Sequence, residues 1–176
     1  KAKHTYGDAS LAGQMSLIDD YPMDIKANFK LAKVAEVPEL ENQNLDISIS
    51  QGFKQLRSQI RGSGQFEFNL DSSIELAKPQ IPYTINLSAN KLQWPLKQAD
   101  YIAQNIKLES DGDLQKQNVS LQTLFSSPYQ PPIDLDSQFS HQSSRLDFSK
   151  LHAANSKLGE VILQGSLEYG EKLAWN

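Results

Sequence analysis

No cysteine occurs in the 176 residues, which removes disulfide scaffolds, thiolate metal sites and cysteine nucleophiles together. No run approaches the roughly 18–20 apolar residues that a membrane-crossing helix needs, and no signal-peptide pattern is present. Lysine and arginine are scattered singly, and the net charge is -4 with an isoelectric point near 5.4. Phosphate binding needs concentrated basic charge, so nucleic acid is excluded as a partner. Hydrophobic residues make up 39% and charged residues 22%, too apolar for a disordered chain and too polar for a membrane-embedded one.

The signatures of catalysis are missing as well. There is no G-x-S-x-G elbow, phosphate loop or dinucleotide fingerprint. His4, His141 and His152 stand at no metal-ligand spacing and read as surface residues. Asp111-Gly-Asp113 lacks the rest of an acidic calcium loop. The carboxylate pairs Asp19-Asp20 and Glu39-Leu-Glu41 lie at turns, where acids serve solvation and local hydrogen bonding. The chain reads as a non-enzyme with no cofactor and no metal.

What the sequence does contain is alternation with a period of two, which gathers every second side chain on one sheet face. Met23, Ile25, Ala27, Phe29 and Leu31 alternate with Asp24, Lys26, Asn28 and Lys30. Leu45, Ile47 and Ile49 follow the same rule, and Ile60, Gly62, Gly64, Phe66, Phe68 and Leu70 read as one long run. Tyr83, Ile85, Leu87 and Ala89 continue it, then Leu92, Trp94 and Leu96. Later runs are Ile106 and Leu108, Val119 and Leu121, Ile133, Leu135 and Phe139, Leu146 and Phe148, and Val161 to Tyr169. Strands with one apolar side belong to antiparallel or meandering sheets, so the fold class is all-β. Two short helix candidates, Leu31 to Val37 and Leu151 to Ala154, also fit loop or strand.

Turn chemistry punctuates the runs. Asp111-Gly-Asp113 reads as a tight hairpin turn. Asp19 to Pro22, Lys78 to Pro82 and Ser127 to Pro132 read as strand boundaries, as expected if proline avoids the ladder interior. Pro22-Met-Asp-Ile-Lys-Ala-Asn-Phe29 resembles Pro132-Ile-Asp-Leu-Asp-Ser-Gln-Phe139, and Pro82-Tyr-Thr-Ile-Asn-Leu87 shares its opening. Gln43-Asn-Leu-Asp-Ile47 is echoed by Gln104-Asn-Ile-Lys-Leu108. Weak repeats beginning near 22, 82 and 132 suggest an elongated stack of similar units. The opening Lys1-Ala-Lys-His and the ending Leu173-Ala-Trp175-Asn lead us to expect one segment, residues 1–176, of a longer chain. An apolar face of this kind either packs against a second sheet as a sandwich core or stays open for a ligand. The pattern alone allows both.

The stretch Leu87-Ser-Ala-Asn-Lys-Leu-Gln-Trp94-Pro95-Leu96 resembles the periplasmic repeat region of the TamB family, within the AsmA-like bridge superfamily. Pro38 to Leu40, Gly112 to Leu114, Leu163 to Tyr169 and Leu173-Ala-Trp175 carry the same likeness. The resemblance implies an elongated, curled antiparallel sheet forming an open apolar trough (a β-taco), polar outside. It implies the periplasm of a Gram-negative bacterium, with the full-length protein anchored in the inner membrane. It further implies a bridge linked to phospholipid traffic, outer-membrane biogenesis and β-barrel protein assembly with a TamA-like outer-membrane partner.

The physics of such a conduit stands apart from the resemblance. Exposing acyl chains to water costs about 0.8 kcal/mol per CH₂, on the order of 20 kcal/mol for a two-chain lipid. A continuous apolar wall removes most of that barrier without any anchoring charge. The expected groove-lining residues are Ile25, Phe29, Ile47, Phe66, Phe68, Ile85, Leu87, Trp94, Leu108, Leu135, Leu163 and Leu167. The expected ligands are phospholipid or detergent acyl chains, with edge-strand self-association as a further expectation. The alternatives are a chaperone surface that takes outer-membrane protein strands by β-augmentation and a structural β-sandwich or solenoid spacer.

Overall fold

The computed structural model describes residues 2–4, 7–32, 40–95, 98–169 and 174–175, with side chains described from residue 7 to 169 within those ranges. These residues form thirteen strands. The chain divides into two compact units, Lys1–Ala89 and Asn90–Asn176.

The first unit contains β1 (Ala2–His4), β2 (Gly7–Met15), β3 (Met23–Leu31), β4 (Asn44–Gln51), β5 (Leu56–Ser63), β6 (Glu67–Ile74) and the start of β7 (Tyr83–Trp94). From β1 to β6 each strand pairs antiparallel with the next. The second unit takes the end of β7 and adds β8 (Tyr101–Gly112), β9 (Lys116–Ser127), β10 (Gln130–Gln142), β11 (Arg145–Asn155), β12 (Gly159–Glu168) and β13 (Ala174–Trp175). From β8 to β13 the pairing is again antiparallel between chain neighbours. Each unit is therefore an open meander whose strands pack on their neighbours in sequence, with no second layer among the described residues. No described helix is long and apolar enough to cross a membrane.

Register explains why the alternation matters. In β3, Ile25, Ala27 and Phe29 stand opposite Ile49, Ile47 and Leu45 of β4, and opposite Gly13, Leu11 and Ala9 of β2. A one-residue slip would carry all of these to the solvated side. The register breaks in β8 between Gln104 and Lys107, in β10 between Gln130 and Ile133, and in β11 between Phe148 and Leu151. Such bulges sharpen the local twist of a sheet.

Several sequence expectations need correcting. The run from Ile60 to Leu70 is not one strand but the hairpin β5–β6, broken at Gly64 to Phe66. Gly64 carries φ +126, and a Cβ there would lie 2.9 Å from the Asn42 carbonyl oxygen, so this bend requires glycine. Leu151 to Ala154 is strand, not helix, paired with Val161 and Leu163. The β8–β9 turn falls at Asp113 to Gln115, leaving Asp111 and Gly112 inside β8. Pro131 and Pro132 lie inside β10, at its bulge, rather than before it. Residues 33–37 of the first helix candidate, with Pro38, Glu39, Leu96 and Leu173, lie outside the described residues.

Candidate functional site

The rungs of the first unit sort its side chains by chemistry. One face carries the rung Leu11, Ala27, Ile47, Ile60 and Leu70, and beside it Ala9, Phe29, Leu45, Gly62 and Phe68. The other face carries Ala12, Lys26, Ser48, Gln59 and Asp71, then Ser10, Asn28, Asp46, Arg61 and Asn69. There the Asn28 amide donates to an Asp46 carboxylate oxygen at 2.7 Å. The apolar face admits a serine pair, Ser58 and Ser72, whose hydroxyls bond each other at 2.7 Å and so satisfy one another.

The second unit repeats the separation. Leu108, Leu121, Ser137, Leu151 and Leu163 form one rung, and Ser110, Val119, Phe139, Phe148 and Gly165 the next. The rings of Phe139 and Phe148 lie 5.7 Å apart. On the other face stand Asp111, Asn118, Ser140, Asp147 and Ser166. Ion pairs line this polar side: Lys150 with Asp136 at 2.6 Å, and Arg145 with Asp147 at 2.7 Å and Glu168 at 3.5 Å. The Asp147 hydrogen bond and charge, with Glu168 adding to them, hold the Arg145 guanidinium above its ordinary pKa.

The apolar face has little over it. Among the described residues only Ala89 and Ile106 are buried apolar side chains, at 6% and 7% exposure. A sandwich would enclose its inner residues between two sheets. Here Leu11 is 72% exposed and Leu163 46%, so neither unit has the sealed core of a sandwich.

The residues singled out from the sequence fall as follows. Ile25, Phe29, Ile47 and Phe68 share the apolar face of the first unit. Ile85 and Leu87 are half-buried positions of β7, alternating with exposed Thr84, Asn86 and Ser88. Leu108, Leu135, Leu163 and Leu167 share the apolar face of the second unit. Phe66 sits in the β5–β6 turn, and Trp94 ends β7 at 65% exposure. Sequence reading missed the contribution of β2, where Ala9, Leu11, Gly13 and Met15 do alternate but two of the four are too small to signal it.

The polar candidates serve structure. Asp19 pairs with Lys54 at 3.7 Å, and the Asp20 carboxylate accepts the Lys54 main-chain N–H at 2.7 Å. His152 meets Glu160 at 3.1 Å. His141, expected at the surface, is half-buried on the apolar side, stacked on and hydrogen-bonded to Tyr169. No cluster of three metal-ligating side chains exists among the described residues.

A family model described as TamB, N-terminal domain, matches residues 1–176. No solved structure matches the chain.

Proposed function

Since the chain belongs to the TamB family, whose N-terminal domain is a non-catalytic periplasmic part of an inner-membrane-anchored protein, we propose that it is a segment of a periplasm-spanning bridge. Its apolar face shelters phospholipid acyl chains while headgroups stay in water. The twelve residues from Ile25 to Leu167 named above are the wall against which the chains slide. In this reading the bridge supports outer-membrane biogenesis and, with a TamA-like partner engaged by other parts of the protein, β-barrel assembly.

One observation carries the proposal: among the described residues each unit has apolar rungs on one side, polar rungs on the other, and no sheet over the apolar side. Such a face, if left to water, is unfavourable by roughly 25 cal/mol per Å², so an apolar guest stabilises it. Weak contact spread over many aliphatic and aromatic residues suits passage better than a tight pocket would.

Photo-crosslinkers at Ile85 and at its outward neighbour Asn86 test this. Lipid adducts are expected at Ile85 and not at Asn86. Equal labelling at both would refute a one-sided path.

The open sheet edges favour a second reading. Among the described residues β1 covers β2 only at Gly7 to Ala9, and β13 covers β12 only at Leu167 and Glu168. The remaining edge groups of β2 and β12 can accept a client strand by β-augmentation. Crosslinks from Ser10 or Ile162 to unfolded outer-membrane proteins, with none to lipid at Ile85, would favour that chaperone role.

A further inference from the structure

At one end of the first unit β2 turns into β3, β4 into β5 and β6 into β7, and these loops hold apolar side chains outward. Leu17 is 78% exposed and Ile18 74%, and Tyr21, Phe53 and Leu76 are exposed on loops at the same end. Single exposed apolar residues are ordinary. A set of them held on fastened loops is not.

The β2–β3 loop is closed at its base by the Ser16 N–H donating to the Pro22 carbonyl at 2.9 Å, and the Tyr21 N–H donates to the Ile18 carbonyl at 3.3 Å. The β4–β5 loop is tied to it. Phe53 N–H donates to the Asp20 carbonyl at 3.0 Å, and the rings of Tyr21 and Phe53 lie 5.6 Å apart. The β6–β7 loop repeats the design, with Glu75 N–H donating to the Pro82 carbonyl at 2.9 Å and Ile81 N–H to the Lys78 carbonyl at 3.0 Å. Leu76 follows that closure as Leu17 follows the first. Tyr21 and Ile81, each just before a proline, carry φ 53 and 51, a strained choice for non-glycine residues. By contrast, in the β5–β6 turn at the opposite end, Gly64 to Phe66, the apolar side chain is half-buried.

Both lysines of this rim are paired with acids, and the third carboxylate, Asp20, accepts the Lys54 main-chain N–H at 2.7 Å, which leaves the rim with one more acid than base. Asp19 pairs with Lys54 at 3.7 Å and Glu75 with Lys78 at 2.6 Å. A chain of net charge -4 is repelled by an anionic surface. Apolar tips beside cation–anion pairs instead match a zwitterionic lipid layer, whose phosphates face the lysines and whose ammonium groups face the acids. We propose that this rim docks on a zwitterionic phospholipid surface, with Leu17 and Ile18 entering the boundary between headgroups and hydrocarbon. This goes beyond sheltering single lipids on the sheet face and does not depend on it.

Because the chain has no cysteine, Ile18→Cys and, on the polar face, Ser48→Cys can each carry an environment-sensitive dye. With vesicles of phosphatidylcholine and phosphatidylethanolamine, the dye at position 18 is expected to shift to the blue at low and high salt, and the dye at 48 to stay unchanged. The double variant Leu17→Asp, Ile18→Asp is expected to reduce the vesicle-bound fraction about tenfold or more, with an unchanged circular dichroism spectrum and unchanged lipid crosslinking at Ile85. Loss of crosslinking at Ile85 with the rim still binding would count against the sheltering role alone. The rim proposal is overturned by no shift at position 18, by equal shifts at both positions, or by binding that needs anionic lipid and vanishes in salt.

Discussion

The side-chain amide of Gln43 closes both main-chain hydrogen bonds of Phe66. Its Nε2 donates to the Phe66 carbonyl at 2.9 Å, and the Phe66 N–H donates to its Oε1 at 2.9 Å. Gln43 is 3% exposed, so the β5–β6 turn is fastened to the start of β4 by a side chain acting as a strand partner. Gln43→Ala leaves a donor and an acceptor unmet, and we expect a loss of about 1–3 kcal/mol, read from the urea midpoint. Gln43→Glu places a buried carboxylate oxygen against the Phe66 carbonyl, and should cost at least as much at neutral pH.

Gly62 faces Phe68 across β5 and β6, and a Cβ there would sit 2.2 Å from the Phe68 ring. The ring covers the gap left by the missing side chain. Gly62→Val should cost about 1–3 kcal/mol through crowding. Combined with Phe68→Ala, its cost should shrink, and a double-mutant cycle by chemical denaturation would show the coupling.

The β8–β9 turn has a titratable element. The Asp113 carboxylate accepts the main-chain N–H groups of Lys116 at 3.0 Å and Gln115 at 2.7 Å, and these bonds, Lys116 first, hold its pKa below the ordinary aspartate value. A carboxylate depressed in the folded state adds stability that is complete above its unfolded pKa and is lost as pH falls through the folded one. The hairpin should therefore loosen only in acid, below the usual aspartate range. Asp113→Ala should lack that acid-dependent loss, and amide exchange at Gln115 and Lys116 followed against pH checks it.

A charge on the proposed lipid path should stop passage without unfolding the sheet. Ile85 is a half-buried position of β7 flanked by exposed Thr84 and Asn86, so the long side chain of Ile85→Arg can swing its guanidinium to water. We expect lipid transfer between donor and acceptor vesicles to fall about tenfold or more, while the circular dichroism melt moves little. Asn86→Arg should leave transfer unchanged.

Leu11 lies on the apolar face at the partly uncovered strand β2. Lysine on an edge strand discourages strand-to-strand association. Leu11→Lys should lower concentration-dependent self-association in sedimentation velocity and reduce apolar dye binding. Equal association in both proteins would place the contact elsewhere.

Much of the fold was legible because a half-solvated sheet writes its two faces into alternate residues. Met23 to Leu31 declares β3 without any tertiary knowledge. The β5–β6 hairpin was hidden because three turn residues keep Phe66 in phase with Phe68, so the alternation survives a reversal of direction. Leu151 to Ala154 looked helical through its alanines, yet cross-strand pairing with Val161 and Leu163 overrides that local preference. Pro131 and Pro132 entered a strand because a bulge there relieves them of ladder bonds. The loop rim with Leu17 and Ile18 had no periodic signal at all, since its organisation comes from hydrogen bonds between loops distant in sequence.

Strands that rest only on their immediate predecessors and successors give each unit unusually local folding instructions. Every hairpin can close before the next is available, which shortens the conformational search relative to β proteins whose partners are far apart in sequence. The same economy has a mechanical consequence. Where the described strands of a unit rest only on chain neighbours, each unit gives way by successive small releases from an end, so a single molecule stretched by its termini should show a ladder of modest events instead of one abrupt rupture.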